Sequence, residues 1–166
     1  SALPIGGPEI FVGAGDIGAC DQNSEATARL LDSIGGTIFT LGDHAYPRGA
    51  EPEFRECYDP TWGRHKGRTR PSPGNHDYES PGAAPYFNYF GASAGPPGLG
   101  YYSYDLGPWH VVSLNSNVNI AAQVSWLERD LDVNRHRCTV AYWHSPLYSS
   151  GPHGEATAVR DLWRVL

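Results

Sequence analysis

An order of strand, helix and strand between Glu9 and Leu41, with an aspartate just beyond each strand, places this chain among α/β proteins. Three observations support this. Thr37-Ile38-Phe39-Thr40-Leu41 is an uncharged run of β-branched, aromatic and aliphatic residues, the pattern of a strand buried on both faces of a parallel sheet. Glu9-Ile10-Phe11-Val12 reads as a shorter strand ahead of it. Between the two, Ala26, Leu30, Leu31 and Ile34 recur at the spacing of one helical face, with Ser24 as N-cap and Gly35-Gly36 as the stop. A right-handed βαβ crossover brings both strand ends to one edge of the sheet, the edge where open α/β sheets bind ligands.

That edge carries the first candidate chemistry. Asp16 lies in the turn Gly13-Ala14-Gly15-Asp16-Ile17-Gly18, and Asp43 follows Gly42 with Tyr46 three residues on. The glycines meet the G-x-G-x-x-G dinucleotide pattern, but Asp16 would face the phosphates and no helix begins directly after Gly18. Asp16 and Asp43 are therefore either independent turn residues or a carboxylate pair. A pair would raise one pKa unless a cation lies between them. Farther on, Glu51 to Trp62 predicts a short irregular helix carrying Cys57. Arg70-Pro71-Ser72-Pro73-Gly74-Asn75-His76-Asp77-Tyr78 predicts a stiff loop, in which Asn75, His76 and Asp77 are either turn hydrogen-bonding groups or ligands to metal or phosphate.

Pro81 to Gly100, rich in Gly, Ala, Pro and aromatics, predicts a long surface loop. Gly91-Ala92-Ser93-Ala94-Gly95 matches a nucleophile-elbow pattern, but Pro96-Pro97 forbid the helix an elbow needs. Tyr101 to Leu106 and Trp109 to Leu114 flank Gly107-Pro108 as a hairpin, with His110 read as a packed strand histidine. Val124, Leu127 and Leu131 mark another amphipathic helix. Cys138 to Trp143 is another buried strand, delivering His144 at its end, and His153 follows in a loop. A last helix places Val159, Leu162, Trp163 and Leu166 on one face.

Composition narrows the function. The 166 residues suit one domain, and 40% hydrophobic content is that of a globular protein. No apolar run approaches a membrane span. A net charge of -6 with a single lysine, Lys66, argues against a nucleic-acid surface, so an anionic substrate would need local positive charge, for which metal ions are the natural source. Cys20, Cys57 and Cys138 form no C-x-x-C; Cys57 could pair with Cys20 in an oxidising compartment. The chain has no methionine and no signal-peptide pattern at Ser1 to Ile10, which reads as a mature or excised piece.

Gly15-Asp16-Ile17-Gly18, Gly42-Asp43-His44-Ala45-Tyr46, Gly74-Asn75-His76-Asp77 and Val140-Ala141-Tyr142-Trp143-His144 stand in the order and approximate spacing of the calcineurin-like metallophosphoesterases. The chain resembles their purple acid phosphatase branch in particular, because Gly18 stands where most of the superfamily has a histidine and because Tyr46 is present. The resemblance runs from about Ile10 to the end. It implies the family's four-layer α/β/β/α sandwich, here its amino-terminal part, with residues 1–166 as one domain cut before its last metal-binding motif. That motif, Gly-His-x-His, supplies a ligand to each of two metals and is not in this sequence.

By the same resemblance Asp16 and Tyr46 bind a first metal, Asp43 bridges both, and Asn75 with His144 binds the second. His76 faces the phosphate as the catalytic residue, with Asn75 and His153 also on the substrate side. The expected cofactors are iron with zinc, manganese or a second iron, since a phenolate favours a trivalent ion. The expected reaction is hydrolysis of a small phosphomonoester by a metal-bridged hydroxide. Secretion is a further implication, and nucleic-acid and membrane partners are not expected. The alternative, from another class, is a catalytically silent module or pseudoenzyme that keeps the fold without the final histidines.

Overall fold

A computed structural model of the chain describes residues 9–166. Two three-stranded sheets organise it. The first has the order β1 (Phe11–Ala14), β2 (Thr37–Leu41), β3 (Thr69–Ser72), all parallel, with Val12 opposite Ile38 and Ile38 opposite Thr69. In the second, β4 (Tyr102–Leu106) runs antiparallel to β5 (Trp109–Ser113), which pairs in parallel with β6 (Cys138–Tyr142). The helices are α1 (Gln22–Asp32), α2 (Glu51–Glu53), α3 (Ala84–Phe90), α4 (Ile120–Val133) and α5 (Arg160–Val165), and α2 continues as a π-turn over Phe54–Tyr58. This is the mixed α/β architecture expected.

The sheets meet through specific contacts. Ser72 Oγ donates to the Leu114 carbonyl at 2.6 Å, and Tyr142 Oη donates to the Arg70 carbonyl at 2.9 Å. Phe11 and Phe39 pack on the Tyr142 ring with centroids 5.9 and 5.6 Å away. Each sheet has its own apolar core. Against the first lie Leu31, Phe54, Tyr58, Trp62, Tyr86 and Phe90, and against the second Leu114, Leu127, Leu147, Val159 and Leu162. Side chains of this size contribute roughly 1.5–3 kcal/mol each when fully buried, so each core can hold its strand ends in place.

Several elements differ from the sequence reading. The first strand is Phe11–Ala14, shifted toward Asp16, because its pairing with β2 extends as far as Ala14 opposite Thr40. Helix α1 starts earlier, since Asp21 rather than Ser24 is its N-cap and accepts from the Ser24 amide at 2.9 Å. The Arg70 to Tyr78 segment begins inside β3, a strand at the sheet edge where Pro71 can be accommodated. Of the predicted surface loop, residues 81–94 instead form α3 and two 3₁₀ turns that bury Tyr86, Phe90 and Ala94, and only the stretch after Ala94 is an exposed turn. Ser93 sits in the second of those turns, after a helix, with no strand before it. Strand β6 is exposed over Cys138 and Thr139 rather than buried throughout. In the last helix Leu162 is buried, but Trp163 and Leu166 are 52% and 47% exposed.

Candidate metal and phosphate site

The loops after β1 and β2 are laced together by their backbones, and the loop after β3 joins them through the Asp43 and Asp77 carboxylates. Asp16 N donates to the Gly42 carbonyl at 3.1 Å, Ile17 N to the Asp43 carbonyl at 3.2 Å, and Tyr46 N to the Gly18 carbonyl at 2.9 Å. Such close approach leaves no room at Gly18, where a Cβ would fall 1.8 Å from the His44 carbonyl oxygen. Gly74 is similarly constrained, since a Cβ there would lie 2.1 Å from Asp43 Oδ1. Asp16 and Asp43 both hold left-handed backbone, at φ 58 and 54. Non-glycine residues held this way cost about 1–3 kcal/mol each and cluster at functional sites.

Asp77 underlies this arrangement. Its Oδ2 accepts from the Gly74 amide at 2.8 Å and the Asp43 amide at 3.1 Å, and its Oδ1 from the His44 amide at 3.2 Å. His44 Nδ1 lies 2.9 Å from the same carboxylate, and His44 Nε2 lies 2.6 Å from Thr40 Oγ1. Both side chains are fully buried, and the His44 ring packs among Phe54, Tyr58, Tyr86 and Phe90. Residues adjacent to candidate ligands thus serve as the internal frame. Sequence reasoning passed over His44 and offered Asp77 as a turn hydrogen-bonding group or a ligand without their pairing, because a buried His–Asp pair between two loops has no local signature.

On this frame the candidate residues converge. Asp16, Asp43, Tyr46, Asn75, His76, His144 and His153 all line one cleft of about 540 Å³. Tyr46 Oη donates to Asp16 Oδ1 at 2.6 Å and lies 3.0 Å from Asp43 Oδ2. Burial, then the hydrogen bond to Asp16, pushes its phenol far above the ordinary range. Asp43 Oδ1 is taken by the His76 amide at 2.9 Å, which leaves Oδ2 facing the cleft.

From the other side, His144 Nδ1 donates to the Leu41 carbonyl at 2.6 Å. Its Nε2 then faces Asn75 Oδ1 at 2.9 Å and Asp43 Oδ2 at 3.5 Å. In a neutral imidazole with Nδ1 protonated, Nε2 is an acceptor. Three acceptors therefore face one another, a conflict that a cation among them or an Asn75 amide turned over would relieve. Asp43 Oδ2 is common to both groups, the one with Asp16 and Tyr46 and the one with Asn75 and His144. The set of carboxylates, phenol, amide oxygen and imidazole suits hard to borderline metal ions. His76 is oriented separately: its Nδ1 donates to the Pro47 carbonyl at 2.6 Å and its Nε2 stays 3.9 Å from Asp43 Oδ2. His153 is exposed on the loop that forms the far wall.

The family model described as calcineurin-like phosphoesterase matches residues 6–166. This chain belongs to that family. Comparison with curated proteins gave no match. Calcineurin-like phosphoesterases are hydrolases that act on phosphate esters with divalent metals, and that coarse description holds for this member's domain. Among the described residues, no helix is long and apolar enough to cross a membrane.

Proposed function

We propose that this calcineurin-like phosphoesterase hydrolyses small phosphomonoesters at a dinuclear centre of the purple acid phosphatase kind. The observation that carries the reading is the position of Asp43 Oδ2, 3.0 Å from Tyr46 Oη on one side and 3.5 Å from His144 Nε2 on the other. Asp16 and Tyr46 would hold the first metal and Asn75 and His144 the second, with Asp43 shared between the two sets. Iron at the first position with zinc, manganese or iron at the second would supply Lewis-acid charge and lower the pKa of water toward roughly 7. The phenol supports the branch, and Gly18 is compatible with it because no side chain fits there.

The chain's own residues do the rest. His76, with Nδ1 locked on Pro47, presents Nε2 to the cleft, where as an imidazolium it binds a phosphate oxygen and hands its proton to the leaving oxygen. Such general acid help contributes about 10²–10⁴-fold. Asn75 carries its amide on the same loop, and His153 adds a second donor from the opposite wall. A bonded Cys20–Cys57 pair supports an extracellular setting.

The second reading is a silent binding module, which applies if no further donors of the Gly-His-x-His kind join the two sets above; the 166 residues contain no such segment. Metal analysis and turnover of an aryl phosphate decide between them, on this chain and on a form continued through such a segment. We expect two metals per chain, turnover and a visible tyrosinate–iron band in the continued form, the band lost in Tyr46→Phe. A continued form without metal would end the phosphoesterase reading, and a band unchanged by Tyr46→Phe would end the branch assignment.

A further inference from the structure

The ends of β5 and β6 away from the cleft carry a second group of ligand-type side chains. Asp105 at the end of β4, His110 on β5 and His136 between α4 and β6 each place one ligand atom within 4.8 Å of the others. Asp105 Oδ1 lies 3.0 Å from His110 Nδ1 and 3.7 Å from His136 Nδ1. A tetrahedral ion with ligands at roughly 2.0–2.1 Å needs edges of roughly 3.3–3.4 Å, which these distances bracket. His110 is 4% exposed, so its partners are not exchanged freely with water.

The hydrogen-bond pattern around His110 does not close on itself. Its Nε2 lies 2.6 Å from Asp130 Oδ2, while Asp130 Oδ1 accepts from Ser103 Oγ at 2.6 Å. That carboxylate is anchored and accepts a hydrogen bond from Nε2, the carboxylate–imidazole arrangement that supports a metal-bound histidine. The other nitrogen, Nδ1, faces two partners of opposite demand: Asp105 Oδ1, an acceptor, and Asn134 Nδ2, a donor 2.7 Å away. A protonated Nδ1 serves Asp105 and opposes the amide. An unprotonated one serves the amide and opposes Asp105. A cation would join Nδ1 to the carboxylate and to His136, while Asn134 Oδ1, which accepts from the His136 amide at 2.8 Å, holds that residue in place.

We infer that Asp105, His110 and His136 form a second, structural metal site for zinc or a similar borderline ion, with Asp130 orienting His110. It would clip the β4–β5 hairpin to the carboxyl end of α4 and to the start of β6. This site does not depend on the chemistry assigned to the cleft. Crystals grown with zinc chloride, with anomalous data collected at the zinc edge, together with calorimetric titration of zinc, test it. We expect an anomalous peak bounded by the three side chains and one fewer zinc bound per chain in His136→Ala and in Asp105→Asn. Both positions are partly or largely exposed, so these variants should fold. Asp130→Asn should weaken this zinc by about 10–100-fold while leaving any zinc near Asp43 in place. Absence of the peak in a zinc-binding crystal, or a zinc titration unchanged by His136→Ala, would overturn the assignment.

Discussion

The two walls of the cleft are built differently. The wall from the first sheet has its loops tied by backbone hydrogen bonds, its turns filled by glycine, and a fully buried carboxylate, Asp77, at its centre. The wall from the second sheet is the loop between β6 and α5. Tyr148, Ser150, Gly151, Pro152, His153, Gly154 and Glu155 are exposed there, and its described ties include the Ala156 amide to the Pro146 carbonyl at 3.0 Å and Trp143 Nε1 to the Ser145 carbonyl at 2.8 Å. The difference separates two tasks. Metal ligands need fixed geometry, and His144, the one proposed ligand on the second wall, gains it from its Nδ1 bond to the Leu41 carbonyl at the end of β2; the exposed stretch beyond it can tolerate adjustment, and low local stability is concentrated where binding loops move.

The sharpest test of the division acts on His76, which sits on the rigid wall without being assigned to metal. In the metal-loaded enzyme, His76→Ala should lower kcat for an aryl phosphate by about 10²–10⁴-fold while metal content stays near wild type. The fall should shrink for leaving groups of low pKa, which need little protonation. Asn75→Ala should instead lose metal and turnover together. Loss of both metals in His76→Ala would show that the wall cannot be divided into holding and reacting parts.

Next in size is the frame itself. Asp77→Ala strands the buried His44 and leaves three backbone amides without their acceptor, a loss of about 3–5 kcal/mol for a broken buried pair. Denaturant unfolding of the apo protein reads it directly. A change under about 1 kcal/mol would mean that the backbone lacing alone holds the loops. The Cys20–Cys57 bond ties the β1 loop to the π-turn across 37 residues of sequence. Replacing both by serine should cost about 3–4 kcal/mol in the chain-entropy picture. That cost should appear with little change in the second sheet's hydrogen-exchange protection, because the bond touches only the first wall.

How much of this was legible beforehand follows the same physical lines. Strand β2 was read to the residue because a β-branched, uncharged run favours a sheet strand, although only Ile38 and Thr40 are buried and the face of Thr37, Phe39 and Leu41 is half-buried rather than fully covered. The ligand-type residues at strand ends were visible for the same reason, as polar residues directly after such runs. Strand β3 was hidden, since Thr69-Arg70-Pro71-Ser72 has no apolar run and carries a proline that only an edge position tolerates. Helix α3 was hidden because Pro85, Tyr86, Phe87 and Tyr89 are weak helix formers. Burial of Tyr86 and Phe90 against His44 and Phe54 decides their conformation instead. Asp77 was seen as a motif residue but not as the centre of the frame, and His110 as packed but not as flanked by two carboxylates. Each of these depends on a contact between distant segments.

The smallest effect is expected on the adjustable wall. His153 is exposed and lies on the loop between β6 and α5, and no hydrogen bond to another residue fixes its ring among the described contacts. Any contact it makes with phosphate is therefore made in water-rich surroundings, where a single charged interaction contributes about 0.2–1 kcal/mol. His153→Ala should raise KM by no more than about fivefold, leave kcat within a factor of about two, and leave unfolding stability within about 0.5 kcal/mol. The salt dependence of KM should also weaken in the variant, because a screened contact has been removed. Steady-state kinetics at two ionic strengths would measure this. A kcat loss approaching that of His76→Ala would place His153 in contact with the reacting oxygens, and the second wall would then have to be as well ordered in the working enzyme as the first.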